Sequence, residues 1–256
     1  MGRVGVAFLA IAALGVLGIR AGSAADLDVP VKGSPPPAPP FSWTGFYLGG
    51  NIGAGWGTSD TTLLVDPSLG FGVTGSFPFG TLSPSGILGG VQVGYNWQID
   101  WIVLGIEGDF DGAAIKTTNS GCGNPFFGPA SLACSTNTDW LASVSGRVGG
   151  VVGDRFLAYV KGGAAWKDTK YSASETDTFD VLLPPGVTAS SSAVRLGALL
   201  GFGLEYAFAA HWTGFIEYDY MDFGSQTVAF TATGLTANAS ITDKLSVIKT
   251  GVSYKF

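Results

Sequence analysis

From Trp43 onward, apolar residues recur at every second position of this chain. Val194, Leu196, Ala198, Leu200, Phe202, Leu204 and Tyr206 fall on one face, and Arg195, Gly197, Gly201, Gly203 and Glu205 on the other, with Leu199 the one exception. Side chains alternate across a β-strand, whereas a helix returns to one face every three or four residues. The split repeats along the chain. Ile102, Leu104, Ile106 and Phe110 oppose Glu107 and Asp109; Trp212, Ile216, Tyr218 and Tyr220 oppose Thr213, Glu217 and Asp219. Ile87, Val91, Val93, Tyr95 and Trp97 oppose Gln92, Asn96 and Gln98, and Trp140, Val144 and Val148 oppose Ser143, Ser145 and Arg147. Phe156, Val160 and Trp166 oppose Tyr159, Lys161 and Lys167. No apolar run after Trp43 reaches the roughly 18 residues of a membrane helix.

Eight strands are predicted: 44–57, 85–98, 101–115, 138–152, 155–168, 191–208, 211–224 and 244–256. Each exceeds the ~9–11 residues that a tilted strand needs to cross hydrocarbon. Tight turns at Ile99-Asp100, Gly153-Asp154 and Ala209-Ala210 alternate with four long stretches, 58–84, 116–137, 169–190 and 225–243. These stretches are rich in Ser, Thr, Gly, Asn and Pro and are predicted as loops. Short turns at one end and long loops at the other describe an all-β, eight-stranded antiparallel up-and-down transmembrane β-barrel, with both termini periplasmic.

Alternation alone does not say which face meets lipid, since a water-soluble barrel alternates too. Three features decide it. Trp43, Phe46, Trp97, Trp101, Trp140, Phe156, Trp166, Tyr206, Phe208, Trp212 and Phe256 lie near strand ends, as in an interfacial girdle. Charged residues make up only 12% of the chain, about half of the roughly 25% usual in soluble proteins, and nearly all of those on strands share the polar face. Turned to water, the other face would be an apolar patch far larger than soluble monomers tolerate. The chain also ends on alternating Ile248, Thr250, Val252, Tyr254 and Phe256. That ending resembles the terminal strand read by the barrel-assembly machinery, with Tyr254 and Phe256 as its signal.

The polar face then lines a lumen that side chains can fill. Its candidate network is Glu107, Asp109, Glu205, Glu217 and Asp219 with Arg147, Lys161, Arg195 and Lys249, supported by Asn51, Gln92 and Asn96. Ions removed from water cost several kcal/mol each unless paired. The network therefore reads either as a polar plug that holds strand register or as a narrow, cation-leaning pore. Inward glycines leave room for bulky partners or for water.

The N-terminus carries Arg3, an apolar run from Val4 to Ile19 and small residues to Ala25. This is the pattern of a signal peptide over 1–24; the run is short for an anchor and ends in Arg20. Residues 25–42 read as a Pro-rich periplasmic linker, and 43–256 as the barrel. Cys122 and Cys134 share one long loop, where export to an oxidising compartment favours a disulfide. The net charge of −6 opposes nucleic-acid binding, which needs a basic face. His211 is the only histidine and sits at a periplasmic turn beside Trp212, an interfacial anchor away from the acids, so no catalytic triad assembles. No catalytic residue, metal ligand or cofactor is expected.

Trp43-Thr44-Gly45-Phe46-Tyr47-Leu48-Gly49-Gly50-Asn51 resembles the first strand of the small alphaproteobacterial outer-membrane β-barrel proteins. This family includes outer-membrane immunogenic and haemin-binding proteins. Gly94-Tyr95-Asn96-Trp97-Gln98 with Gly105-Ile106-Glu107-Gly108-Asp109, Tyr159–Ala164, Gly251–Phe256 and Ala25-Asp26-Leu27 match as well. The resemblance implies a surface-exposed, porin-like protein of the bacterial outer membrane. Its expected roles are structural support and small-solute permeability, or surface binding through the long loops to haemin, host or phage. Its expected partners are outer-membrane lipid and the assembly machinery, and it is expected to be a monomer. The loops carry no family motif, and a haemin site would lack an exposed His or Tyr cluster.

Overall fold

The computed structural model describes residues 41–65, 75–122, 132–175, 188–232 and 235–256. Residues 1–24, expected as a signal peptide, and residues 25–40 of the expected linker lie outside them. Among the described residues nine strands form: β1 (Gly45–Val65), β2 (Gly75–Leu82), β3 (Ser85–Ile99), β4 (Ile102–Cys122), β5 (Leu132–Val152), β6 (Phe156–Glu175), β7 (Thr188–Ala207), β8 (Trp212–Ala232) and β9 (Leu235–Lys255). All pair antiparallel, and β1 pairs with β9, which closes the ring. The short β2 prolongs β3 beyond a break at Ser83-Pro84 and pairs only with the outer half of β1, so eight strands make up the barrel wall. Pro84 has no N–H for the ladder. Its carbonyl instead accepts the Gly57 N–H at 2.9 Å.

The turns hold the short end together. Ile99 pairs with Ile102, so Asp100-Trp101 forms a two-residue hairpin with Asp100 at φ 54°, and Gly153 takes φ 63° in the next turn. A residue with positive φ suits such hairpins, and Gly adopts it without steric cost.

The stretches expected as long loops are largely strand. β1 runs on to Val65, β4 to Cys122, β6 to Glu175 and β8 to Ala232, and their partners return in register. Beyond the membrane the outward face of a strand meets water instead of lipid and turns polar, while the inward face stays packed, as at Tyr171, Val228 and Ile241. The apolar alternation fades there, while Thr and Ser still suit a ladder.

The alternating apolar residues point outward. Phe46, Ile52, Ile87, Trp101, Leu196, Leu200 and Phe202 are all more than half exposed, which is the face of a protein solvated by lipid. Leu199 breaks the alternation because it points inward, into an apolar layer of the lumen.

Candidate functional site

The lumen is the most constrained region of the molecule. Period two carries Glu107, Asp109 and Asp111 of β4 to its interior, and with them Arg147 of β5, Lys161 of β6 and Glu205 of β7. Glu217 and Asp219 of β8 and Lys249 of β9 complete the set, all buried. Lys161 Nζ lies 2.6 Å from Glu217 Oε1 and 3.3 Å from both Glu107 Oε1 and Asp219 Oδ2. Lys249 Nζ lies 2.8 Å from Asp109 Oδ1 and 3.4 Å from Asp219 Oδ2. Arg147 Nη1 reaches Glu107 Oε2 at 3.3 Å and Glu205 Oε2 at 3.5 Å, and its Nε donates to Asn96 Oδ1 at 3.0 Å. Such shared pairing is what lets ions persist out of water.

Two tyrosines lock this belt. The Tyr47 hydroxyl donates to Glu107 Oε2 at 2.6 Å and that of Tyr159 to Glu217 Oε2 at 2.8 Å. The rings fit because they lie over Gly94 and Gly203, where a Cβ would collide with them. The inward glycines at these two positions therefore make room for bulky partners.

Apolar layers bound the belt on both sides. On the short-turn side Trp43, Val103, Leu157, Tyr159 and Ala207 pack together with Phe41 and Val151. The Trp43 N–H donates to Gln98 Oε1 at 2.8 Å. Trp43 is 1% exposed. It belongs to a plug in the barrel mouth and not to the interfacial girdle, because the chain turns inward ahead of Gly45, which has φ 139°. On the other side Leu88, Ile115, Leu141, Leu199, Met221, Phe223, Leu245 and Val247 form a second apolar layer.

A separate charged group follows above that layer. Arg195 Nη1 lies 2.6 Å and Lys167 Nζ 2.9 Å from Asp243 Oδ2. Ser59 and Tyr171 also donate to Asp243. Arg195 Nη2 donates to the Gly224 carbonyl at 3.1 Å and to that of Ile241 at 2.8 Å.

Of the candidate network residues, Glu107, Asp109, Arg147, Lys161, Glu205, Glu217, Asp219 and Lys249 come together in one belt, and Arg195 lies apart. Asp243 and Tyr171 fell in stretches expected as loops, where no alternation marked them. Asp111 was in a predicted strand, two residues after Asp109, and its parity alone was a sufficient signal. Cys134 is buried on β5 and disulfide-bonded; the Cys122 side chain lies outside the described residues. Tyr254 and Phe256 face outward at the end of β9, their rings 5.1 Å apart edge to face, and the Phe256 N–H donates to the Phe46 carbonyl at 3.0 Å. His211 is exposed at the turn before β8, its Nδ1 2.9 Å from the Lys255 carbonyl oxygen.

Comparison with known proteins adds the following. Residues 12–256 match the family model of the outer membrane protein beta-barrel domain. The chain is 31% identical over 252 residues to the 31 kDa outer-membrane immunogenic protein of Brucella melitensis, covering 96% of this chain and 98% of that protein. It is 30% identical to the 22 kDa outer membrane protein of Rhizobium leguminosarum, over 78% of this chain and 70% of that one. Among solved structures it is similar to Ail, the attachment invasion locus protein of Yersinia pestis. That match has 14% identity and a TM-score of 0.35, and covers 81% of this chain and 99% of that one.

Proposed function

This chain belongs to the outer membrane protein β-barrel domain family, and from that premise we propose that it is a sealed structural barrel of the bacterial outer membrane. Its activity then lies in the surface it presents beyond the membrane. The observation that carries this reading is the inaccessibility of the lumen charges. The side chains of Lys161 and Asp219 are 0% exposed, that of Glu107 1% and that of Lys249 2%. A hydrated channel would wet the ions that line it. Solutes would also have to pass two dry apolar layers.

A planar bilayer tests the proposal. Refolded barrels are expected to be electrically silent. Discrete, salt-dependent steps would overturn the sealed reading and reinstate small-solute permeability.

The second reading, surface binding, is favoured by the continuation of the strands past the apolar band, which builds a wall outside the membrane. The exposed His211 has no nucleophile arranged beside it among the described residues, so no catalysis is proposed. The outward Tyr254 and Phe256 are offered as the assembly signal, with lipid and the assembly machinery as partners of a monomer.

A further inference from the structure

Two lysines hold the central belt together, and they serve more carboxylates than they can satisfy. Lys161 Nζ has Glu107, Asp109, Glu217 and Asp219 within 3.9 Å. Lys249 Nζ has Asp109, Asp111, Glu217 and Asp219 within 3.8 Å. Each ammonium carries only three donors. Among the described residues, these lysines and Arg147 are the belt's cations, set against the carboxylates of Glu107, Asp109, Asp111, Glu205, Glu217 and Asp219. Negative charge is therefore in excess in a place where buried ions are costly unless compensated.

The shortfall is greatest at Asp111. Its Oδ2 lies 3.8 Å from Lys249 Nζ, the longest of that lysine's four carboxylate contacts, and its Oδ1 has no hydrogen-bond partner. Asn51 of β1, Gly90 of β3 and Asp111 of β4 are direct cross-strand neighbours in one row, and their alternation points all three inward. Gly90 has no side chain to part the other two, and a Cβ there would collide with Asp111 Oδ1. Asn51 is 6% exposed and lies near Asp111. Neither its Oδ1 nor its Nδ2 is placed for a hydrogen bond. A buried amide and a buried carboxylate oxygen thus converge over a glycine floor, inside a belt already short of positive charge.

We propose that Asn51 and Asp111 form, over Gly90, a binding site for one monovalent metal cation of the sodium or potassium kind, ligated by Asp111 Oδ1 and Asn51 Oδ1. Hard cations take oxygen ligands, and the Asn51 amide is free to turn its oxygen to the ion because no partner fixes it. Lys249 approaches the other carboxylate oxygen, Oδ2, and leaves Oδ1 to the ion. Charge sets the ligand class, since a cation offsets part of the negative excess and a water does not. A divalent ion fits poorly, because it takes six or more oxygens or keeps several waters. Among the described residues no three His, Cys, Asp or Glu side chains are placed to hold a metal ion.

Urea midpoints of the folded full chain in detergent test the site, measured as sodium or potassium chloride replaces tetramethylammonium chloride at constant ionic strength and pH. Tetramethylammonium has the same charge but is too large to sit between neighbouring side chains. The midpoint is expected to rise with at least one of the two metal ions, the folding constant approaching a tenfold gain per tenfold ion as the site fills. The rise should vanish in Asp111→Asn and in Asn51→Ala, so the second variant decides should the first not fold. It should persist in Asp139→Asn, whose carboxylate pairs with Lys170 on the outer face of the wall. Equal midpoints in all three salts, as an ordered water or protonated carboxyls would give, would overturn the site. So would an ion response left unchanged in either lumen variant. Ion-dependent midpoints from barrels that conduct would keep the site and sink the sealed lumen, whereas indifferent midpoints from silent barrels would sink only the site.

Discussion

The guanidinium carbon of Arg147 lies 4.6 Å from the centre of the Tyr47 ring. The Tyr47 hydroxyl and Arg147 Nη1 converge on one atom, Glu107 Oε2, at 2.6 and 3.3 Å. The Tyr159 ring lies 5.0 Å from the same guanidinium carbon. Arg147 is thus held by charge, by aromatic faces and by the Asn96 amide oxygen at once. Removing it would leave Glu205 without its cation in a dry lumen and Glu107 with Lys161 alone.

Arg147→Ala is expected to lower stability by ~3 kcal/mol or more, the cost of orphaning a buried charge. It should do so without opening a conducting path, because the apolar layers on either side remain. Urea unfolding midpoints and bilayer recordings of the same preparation check both halves. A wild-type midpoint, or current through folded barrels, would refute the expectation.

Gly94→Ala should destabilise by roughly 1–3 kcal/mol, the usual cost of overpacking. A Cβ at Gly94 collides with the Tyr47 ring and lies 2.6 Å from the Ile106 carbonyl oxygen. At Gly108 a Cβ meets nothing nearer than the Ser143 carbonyl oxygen at 3.8 Å. Gly108→Ala is therefore the matched control, expected to be near neutral.

Trp43→Ala should cost about 3–5 kcal/mol, as for a large buried side chain. Trp212→Ala should cost clearly less, since Trp212 is 44% exposed toward lipid. Equal midpoints for the two variants would place Trp43 in the girdle after all.

Acid should loosen the outer charged group. Asp243 sits above the apolar band, paired with Ser59 beside the outward-facing Asp60 and Lys244. Burial alone would raise its pKa, but the Lys167 ammonium and the Ser59 and Tyr171 donors outweigh it and hold the carboxyl below its ordinary value. The folded value is depressed, so this stability is fully present above the unfolded value of about 3.9 and lost as pH falls through the folded one. Asp243→Asn should flatten the acid limb of a stability–pH profile. An unchanged limb would assign the acid sensitivity to other groups.

Cys122 and Cys134 are expected to be bridged to each other, with about 2–4 kcal/mol of stabilisation. Intact mass after alkylation without reduction should show no added label, and two labels after reduction. Two labels without reduction would exclude the bridge.

Alternation made the eight-strand wall and its two faces legible from residues such as Val194 to Tyr206, and charge sparsity with aromatic placement told which face meets lipid and which carries the inward acids and bases. Leu199 looked like a flaw in that pattern and is instead a member of the apolar layer above the charged belt. Trp43, counted with the girdle by its position near a strand end, turned out to cap the lumen. Asp243 and Tyr171 were hidden because the outward face of a strand beyond the membrane is polar as well, so the hydrophobic period that marks the inward face is lost.

The sequence by itself determined class and topology, which follow from a local period of two and from turn chemistry, and the lipid face, which follows from charge sparsity, aromatic placement and the C-terminal ending. Only the tertiary structure decided that the lumen is packed, that Arg195 stands apart from the central belt, and that β2 takes over the pairing with β1 beyond the break at Ser83-Pro84. Those properties depend on strand stagger around a closed ring. Stagger brings together side chains far apart in sequence, as with Lys249 and Asp109, and no local pattern encodes it.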